Sequence, residues 1–261
     1  MLGLGNTLSG GIVPAAAVDS FDNTYSLAFD GVDDYVDLGD SNVFSFGDSS
    51  DDSPFSVSAW VNMRDATKFR IVGKSGTGTG NIEWLFSANG SDLLSLYLYD
   101  NAGGQQIGRH SAALTSSEDS WIHVAATYSG GGSSTDINIY VNGANANDSV
   151  SSAGSYTAMH NGTGGLDIGR FKRGGFPGTV DYAQGNIDEV AIFNAELDAE
   201  AVSAMYNNGA PTDLSSESNL VGYWRMGDGA TYPTIPDDSS NSNDGTMTNM
   251  TSGDLVEDVP G

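Results

Sequence analysis

Hydrophobic and polar side chains alternate along many short stretches of the chain. In residues 55–61 (FSVSAWV), Phe55, Val57, Ala59 and Val61 share one face of a period-two strand. The same alternation recurs in FRIVGK, IEWLFSA, LLSLYLYD, WIHVAATY, INIYV, LDIGR and NIDEVAIF. Many short strands between turn-rich segments predict an all-β fold, a two-sheet antiparallel sandwich.

Two local signals add detail to this prediction. Asn142-Gly143 separates two strand-like runs and is a strong signal for a tight hairpin. The segment ELDAEAVSAMYNNGA (residues 196–210) predicts one short helix, capped by Asp198 and closed by Gly209, with Val202 on its buried face. We expect this helix to pack at the rim of the sandwich.

The composition narrows the classes of partner. Nine Lys and Arg against 34 Asp and Glu give a formal net charge of -25, so nucleic acid and anionic lipid surfaces would be repelled. We therefore expect no nucleic-acid partner, and the longest apolar run is too short to predict membrane insertion. The chain has no cysteine, which excludes disulfides, zinc-thiolate sites and cysteine nucleophiles.

Six motifs follow one another in a characteristic order over residues 25–208. They read FDGVDDYVDLG, FSVSAWVN, SWIHVAATY, INIYVNG, LDIGR and GNIDEVAIFNAELDAEAVSAMY. In this order they resemble the laminin G-like branch of the concanavalin A-like lectin and glucanase superfamily. The resemblance implies a jelly-roll sandwich of two curved antiparallel sheets. It does not imply one function, because the superfamily includes glycan binders, adhesion modules, enzymes and structural spacers.

The order departs from the family pattern at one point, and this affects the domain organisation. Family members usually begin with a strand like LVGYWRM and a polar segment like DSSNSNDGT, which here lie at residues 220–226 and 238–246. The chain therefore resembles a circular permutation. We expect residues 1–20 to form a flexible or partner-binding arm and residues 21–261 a single sandwich. Residues 214–250 would supply the displaced first strand, either to their own sandwich or to a neighbouring copy; a truncated second domain of that length would have too small a core.

The stretch LAFDGVDDYVDLG (residues 27–39) carries four aspartates around one glycine. Such residues are common turn formers, yet like charges this close repel one another, and a hard cation would relieve that repulsion. In calcium-bearing relatives the metal commonly sits at the sandwich edge, and the resemblance implies Asp30, Asp34 and Asp188 as the matching positions. A structural Ca²⁺ is therefore one hypothesis, and turn formation is the other.

The acidic residues do not predict catalysis. Glycoside hydrolases need two carboxyls across a sugar bond, whereas Glu83 stands alone in NIEWLF and Asp188 is followed directly by Glu189. Adjacent strand residues face opposite sides of a sheet. The three histidines show no metal-ligand spacing, so we expect a protein that is not an enzyme.

Two groups of residues are candidates for ligand binding. Aromatic side chains on the polar-alternating faces of their strands could form an exposed concave surface that stacks on sugar rings; these are Trp84, Tyr97, Tyr99 and Tyr140. The loop GRFKRGGFPG could receive an acidic glycan or an acidic patch of another subunit through Arg170, Lys172, Arg173 and Phe176. The alternative for the aromatic residues is that they pack in the core. The alternative for the basic residues is that they belong to a solvated loop.

Together these features predict a non-catalytic recognition or assembly module. The partner would be a cell-surface glycan or other virion subunits, with a homo-oligomer as a further possibility. The start of the chain lacks the basic region of a signal peptide, and the whole is similar in style to phage-borne modules, so we expect a virion or extracellular location. One alternative is a purely structural phage virion protein (decoration, neck or fibre-associated), and a second is a carbohydrate-binding domain of a larger secreted enzyme.

Overall fold

The computed structural model describes residues 21–77, 81–100, 104–172 and 180–261. The strands in chain order are β1 (Ser26–Asp30), β2 (Tyr35–Asp37), β3 (Phe55–Met63), β4 (Arg70–Ser75), β5 (Ile82–Ala88), β6 (Leu93–Asp100), β7 (Gln105–Ala113), β8 (Trp121–Tyr128), β9 (Ile137–Val141), β10 (Ala144–Asn145), β11 (Ser149–Ala153), β12 (Gly165–Ile168), β13 (Arg170–Lys172), β14 (Val180–Tyr182), β15 (Gln184–Phe193), β16 (Leu220–Trp224), β17 (Thr234–Ile235), β18 (Gly245–Thr248) and β19 (Leu255–Val256). One α-helix, α1 (Ala199–Tyr206), lies between β15 and β16.

The strands form two large antiparallel sheets. Sheet A has the order β10-β9-β8-β3-β15-β1-β19, and β16 also pairs with β15. Sheet B has the order β11-β7-β6-β5-β4-β12-β2-β18-β17, and β13 and β14 form a separate two-stranded sheet. The predicted all-β, two-sheet antiparallel jelly-roll sandwich with one short helix is confirmed.

The core lies between the two sheets, and alternation along each strand decides which side chains enter it. In sheet B, Trp84 and Phe86 of β5 and Leu96 of β6 point inward and are fully buried. In sheet A, Val57 and Ile187 do the same. Residues at the intervening positions therefore lie on the outer faces of the two sheets, where the candidate sites are found.

The local signals in the sequence are present in the structure. Asn142 and Gly143 both have positive φ, 49° and 72°, and join β9 to β10, as an Asn-Gly hairpin turn requires. The Asp198 side chain accepts a hydrogen bond from the Ala201 N–H and caps α1. The helix ends at Asn207 in the left-handed conformation, two residues before the predicted Gly209.

Helix α1 covers part of the outer face of sheet A. Val202 and Met205 of the helix pack with Ala191, Tyr140 and Tyr223 in a second hydrophobic cluster, separate from the main core. This part of sheet A is therefore closed to solvent. None of the helices in the described part of the chain is long and apolar enough to cross a membrane.

The displaced segment packs within its own chain. Residues of β16 pair with β15, with Val190 opposite Trp224 and Ala191 opposite Tyr223. β18 pairs with β2 in sheet B. The side chains of Tyr223 and Trp224 are both fully buried, so residues 220–248 contribute strands to both layers of the sandwich.

The first described residues fasten onto the segment after β16. The backbone N–H of Thr24 donates to the Asp228 carboxylate at 2.8 Å, and the Arg225 guanidinium lies over the Phe21 ring, 4.2 Å from its centroid. Arg225 also donates to the carbonyl of Asp22. Residues 21–25 thus lie beside residues 225–228.

Candidate functional site

A pocket of 540 Å³ opens on the outer face of sheet B, next to the β13–β14 sheet. We call it the tyrosine pocket. Its lining includes Arg70, Leu85, Tyr97, Tyr99, Gln106 and Phe171. Because Leu94, Leu96 and Leu98 of β6 point into the core, the intervening Tyr97 and Tyr99 project from the opposite face.

The position of the Tyr97 ring depends on its neighbours across the sheet. Tyr97 pairs with Leu85 on one side and with Gly108 on the other. A Cβ at position 108 would lie 2.7 Å from Tyr97 Cδ1, which is too close for a side chain. Glycine at this position therefore lets the Tyr97 ring lie over the β7 backbone.

The two tyrosines form a continuous aromatic wall. Their ring centroids are 6.2 Å apart with an interplanar angle of 34°. The Tyr97 ring also lies 5.2 Å from the buried His110 ring, whose Nδ1 is 2.8 Å from the Ser95 hydroxyl. Burial lowers the pKa of His110, so this ring is neutral near neutral pH and supports Tyr97 without adding charge.

Arg70 provides the positive charge of the pocket. Its guanidinium donates to the Ser87 hydroxyl at 3.1 Å and to the Asp181 carboxylate at 2.7 Å. It also lies 5.6 Å from the centroid of the Phe171 ring. These contacts from β5, β13 and β14 fix the guanidinium in one orientation, which is the arrangement needed to present N–H donors to a ligand.

Two of the four predicted aromatic residues do not lie on an exposed surface. Trp84 is fully buried between the sheets, where its indole N–H donates to the Phe44 carbonyl at 2.9 Å. Tyr140 is buried under helix α1. The expectation that these two side chains form part of an exposed surface is therefore wrong. Tyr97 and Tyr99 do line a pocket, together with Arg70 and Phe171, which the sequence did not indicate.

The predicted basic loop is only partly described. Arg173 and Phe176 lie outside the described residues. The other two cations both bind the buried Asp167: Arg170 at 2.7 Å and Lys172 at 3.0 Å. The Arg170 guanidinium also lies over the Tyr35 ring. These two charges therefore already have an internal partner, and among the described residues Arg70 is the cation that lines the tyrosine pocket.

The aspartates at the start of the sandwich come together as the metal hypothesis requires, with one exception. Carboxylate oxygens of Asp30, Asp33 and Asp34 lie within 4.8 Å of one another, and such oxygens suit a hard cation. Asp188 is not part of this group. Asp30 pairs with Gln184, which places Asp188 about 13 Å further along β15 at the usual strand rise. Asp188 is therefore wrong as a ligand of this cluster.

Asp188 and its neighbour Glu189 form a separate buried acidic pair. The strand bulges between Asp188 and Ala191, and Glu189 has φ of 49°. The Asn23 amide donates to Asp188 at 2.8 Å, while Glu189 accepts from the Tyr223 hydroxyl and from Arg225. Burial raises the pKa of both carboxyls. Each acid is bound by its own donors, and both stabilise the contact between β15 and its neighbours.

The calcium hypothesis has a direct test at Asp34. Burial, and then the charge of Asp30, raises the pKa of Asp34 from 3.8 to about 6. A carboxyl with a raised pKa in the folded state stabilises the fold below pH 3.8 and loses this contribution as the pH rises through about 6. In chelator at neutral pH, we expect Asp34→Asn to raise the melting temperature, because the amide oxygen can still accept the Asp30 N–H. The gain should vanish in acid.

Added Ca²⁺ separates the two hypotheses for this cluster. If the cluster binds Ca²⁺, the metal raises the melting temperature of the wild-type protein and has little effect on Asp34→Asn. The matched control is Asp37→Asn, which changes an aspartate of the same motif that lies outside the cluster. A wild-type melting curve that is the same in chelator and in Ca²⁺ would contradict the calcium proposal and leave the aspartates as turn formers.

One family model matches most of the described sandwich. The model of a laminin G-like family, described as the concanavalin A-like lectin/glucanases superfamily, matches residues 30–203. No match to a curated protein was found. The matched range includes the β6 tyrosines and Arg70 but ends before β16.

Some solved structures are similar to this chain. One is a Bacteroides ovatus protein described as a "putative carbohydrate binding protein", with 21% identity and a TM-score of 0.62, covering 91% of this chain and 61% of that chain. Others are a heptameric pentraxin of Limulus polyphemus (14% identity, TM-score 0.47, 70% and 82% coverage) and domain 4 of a Geobacillus stearothermophilus arabinanase in complex with arabinotriose (15% identity, TM-score 0.39, 60% and 68% coverage). The chain thus spans less than two thirds of the Bacteroides protein.

Proposed function

Because the chain belongs to the concanavalin A-like lectin/glucanases superfamily as a laminin G-like domain, we propose that it is a non-catalytic glycan-binding module that holds its ligand in the tyrosine pocket. The observation that carries this proposal is the pairing of the Tyr97 and Tyr99 rings with the fixed Arg70 guanidinium in one open cavity. The Bacteroides ovatus protein of the same fold, described as a "putative carbohydrate binding protein", supports it.

The chemistry of the lining suits a sugar. Aromatic faces stack on the apolar faces of pyranose rings, and Tyr97, Tyr99 and Phe171 supply such faces. Sugar hydroxyls need both donors and acceptors at fixed positions. Asn89 and Gln106 offer both through their amides, and Arg70 offers donors. A pocket with this mixture of groups binds a glycan by stacking and hydrogen bonds together.

The same lining favours binding over cleavage. Glycoside hydrolysis needs two carboxyls facing each other across the bond, and none of the described residues that line the tyrosine pocket is Asp or Glu. The acid paired with the Arg70 guanidinium is Asp181, which also pairs with Lys68. Its charge is therefore engaged in holding the guanidinium.

Removal of the pocket aromatics tests the proposal. A glycan array identifies the best ligand of the wild-type protein, and calorimetry then measures its affinity for Tyr99→Ala and Tyr97→Leu. We expect each variant to lose about tenfold or more in affinity, a change of about 1.4 kcal/mol or more, because each loses a stacking face. Tyr232→Ala, which removes an exposed tyrosine ahead of the opposite edge strand β17, is the control and should bind normally.

One observation favours a second candidate function, assembly with other virion subunits or other copies of the chain. Strand β11 lies at the edge of sheet B, has no charged residue and exposes Val150. Uncharged edge strands can pair with another chain. An empty glycan array, together with an oligomer in size-exclusion chromatography with light scattering, would replace the glycan proposal by this one; the virion location stays a prediction.

A further inference from the structure

A second pocket, of 440 Å³, opens at the opposite side of the sandwich, on the outer face of sheet A. We call it the asparagine pocket. Its lining includes Asn62, Arg64, Asp119, Gln184, Asn186 and Asp258. Val61 and Ile187 point into the core, so the adjacent Asn62 and Asn186, which pair with each other across β3 and β15, project outward.

Asp258 is held in the pocket by donors from three neighbouring strands. Its carboxylate accepts from the Trp121 indole N–H at 2.9 Å, from the Asn186 amide at 3.0 Å and from the Asn62 amide at 3.5 Å. The Ser26 hydroxyl donates to the Asp258 carbonyl at 2.6 Å. An exposed carboxylate fixed in this way is a preorganised acceptor whose remaining lone pairs face solvent.

Three other lining side chains have no hydrogen-bonding or ionic partner among the described residues. Within the described part of the chain, Arg64, Asp119 and Gln184 make no side-chain hydrogen bond or ion pair, although all three line the same cavity. In particular, the Arg64 guanidinium and the Asp119 carboxylate do not pair with each other. A donor, an acceptor and an amide that all remain available suit a ligand that carries both donors and acceptors on adjacent atoms.

The charges in the lining narrow the ligand class. One arginine (Arg64) and three aspartates (Asp30, Asp119, Asp258) give a formal charge of 1 − 3 = −2, which repels an anionic sugar. The guanidinium and the amide N–H groups disfavour a bare cation. We propose that the asparagine pocket is a second saccharide site, which binds a neutral sugar through neighbouring hydroxyls that donate to Asp258 and Asp119 and accept from Arg64.

This site is independent of the tyrosine pocket, because it lies on the other sheet and shares no lining residue with it. Its charge also differs, since its lining holds three aspartates and the described lining of the tyrosine pocket holds none. If both sites bind, one chain can join two sugar units that lie on opposite sides of it.

The Trp121 indole provides a readout specific to this site. The ¹⁵N-labelled full chain is titrated with the methyl glycosides of glucose, mannose, galactose and arabinose, and separately with sodium glucuronate. We expect at least one neutral glycoside to shift the Trp121 indole N–H signal and the Asn62 and Asn186 amide signals in a saturable way. Glucuronate should bind at least tenfold more weakly. Trp121→Phe assigns the indole signal.

Two variants show whether the pocket itself binds the sugar. Arg64→Met removes the donor, and Asp119→Gly removes an acceptor at a position with φ of 54°, which glycine adopts without strain. Each should weaken the glycoside at least tenfold and leave the melting temperature nearly unchanged. Tyr99→Ala should leave this binding intact. The experiment can therefore reject the asparagine pocket as a sugar site without rejecting the tyrosine pocket, and the reverse.

Three results would overturn the proposal. One is the absence of a saturable shift with every neutral glycoside. Another is binding that persists unchanged in both Arg64→Met and Asp119→Gly. The third is saturation of the same signals by Ca²⁺ with no response to glycosides, which would make the pocket a cation site.

Discussion

Replacing Trp224 by alanine should lower the free energy of unfolding by about 3–5 kcal/mol. The side chain is fully buried, lies 5.7 Å from the Phe44 ring between centroids and donates its indole N–H to the Asn243 carbonyl at 3.0 Å. The substitution therefore leaves a cavity in the core and an unpaired carbonyl. Since domains of ordinary stability have about 5–15 kcal/mol in total, much of the protein should unfold in mild denaturant. Urea titration followed by circular dichroism measures this.

The control for Trp224 is Val150→Ala on the exposed edge strand β11, which should change the stability by less than about 0.5 kcal/mol.

Deleting residues 214–261 extends the same test, because it removes β16 from sheet A and β17 and β18 from sheet B. We expect no cooperative melting transition from that variant. A deletion variant that melts like the full chain would show that these strands are not part of the stable sandwich.

Replacing Lys74 by methionine should cost a similar amount, about 3–5 kcal/mol at neutral pH. The Lys74 ammonium and the Glu83 carboxylate are both fully buried and lie 3.3 Å apart. Lys74 also donates to the Gly164 carbonyl at 2.7 Å and to Asp40. Without its cation, the buried Glu83 charge keeps only neutral donors among the described residues, the Gly162 N–H at 3.0 Å and the Ser45 side chain. The loss therefore comes mainly from an uncompensated buried carboxylate.

The pH dependence and a double variant identify this cause. Burial raises the pKa of Glu83, and the nearby Lys74 charge lowers it, so the pKa should rise further in Lys74→Met. The stability deficit should then be largest above that pKa and shrink as the pH falls through it, because Glu83 takes up a proton. Lys74→Met with Glu83→Gln should regain most of the stability at neutral pH. A deficit that is independent of pH and not rescued would instead point to lost packing of the lysine stem.

The pattern of the sequence predicts those features that depend on neighbouring residues. Alternation places the strands, Asn142-Gly143 makes its hairpin, and Asp198 caps the helix, because each depends on local backbone geometry. The face that a strand buries is harder to predict when both faces are apolar. In IEWLFSA, Trp84 and Leu85 lie on opposite faces, and only the packing of sheet A onto sheet B decides that Trp84 is the buried one.

The candidate site depends on contacts between distant parts of the chain. Arg70, Tyr97 and Phe171 come from β4, β6 and β13, and no local pattern relates their positions. The sequence indicated Arg70 only in one way, because a charged residue within the strand-like stretch FRIVGK is unusual and needs a partner. Tyr140 was misassigned for a related reason, since the sequence predicts helix α1 but not the face of the sheet that it covers. The position of Asp188 likewise depends on the register between β1 and β15.

The contact between residues 21–25 and residues 225–228 distinguishes the two sides of the sandwich. Residues 21–25 precede β1 of sheet A, whereas the tyrosine pocket opens on the outer face of sheet B. A partner that docks against residues 21–25 would therefore leave the tyrosine pocket open to a glycan.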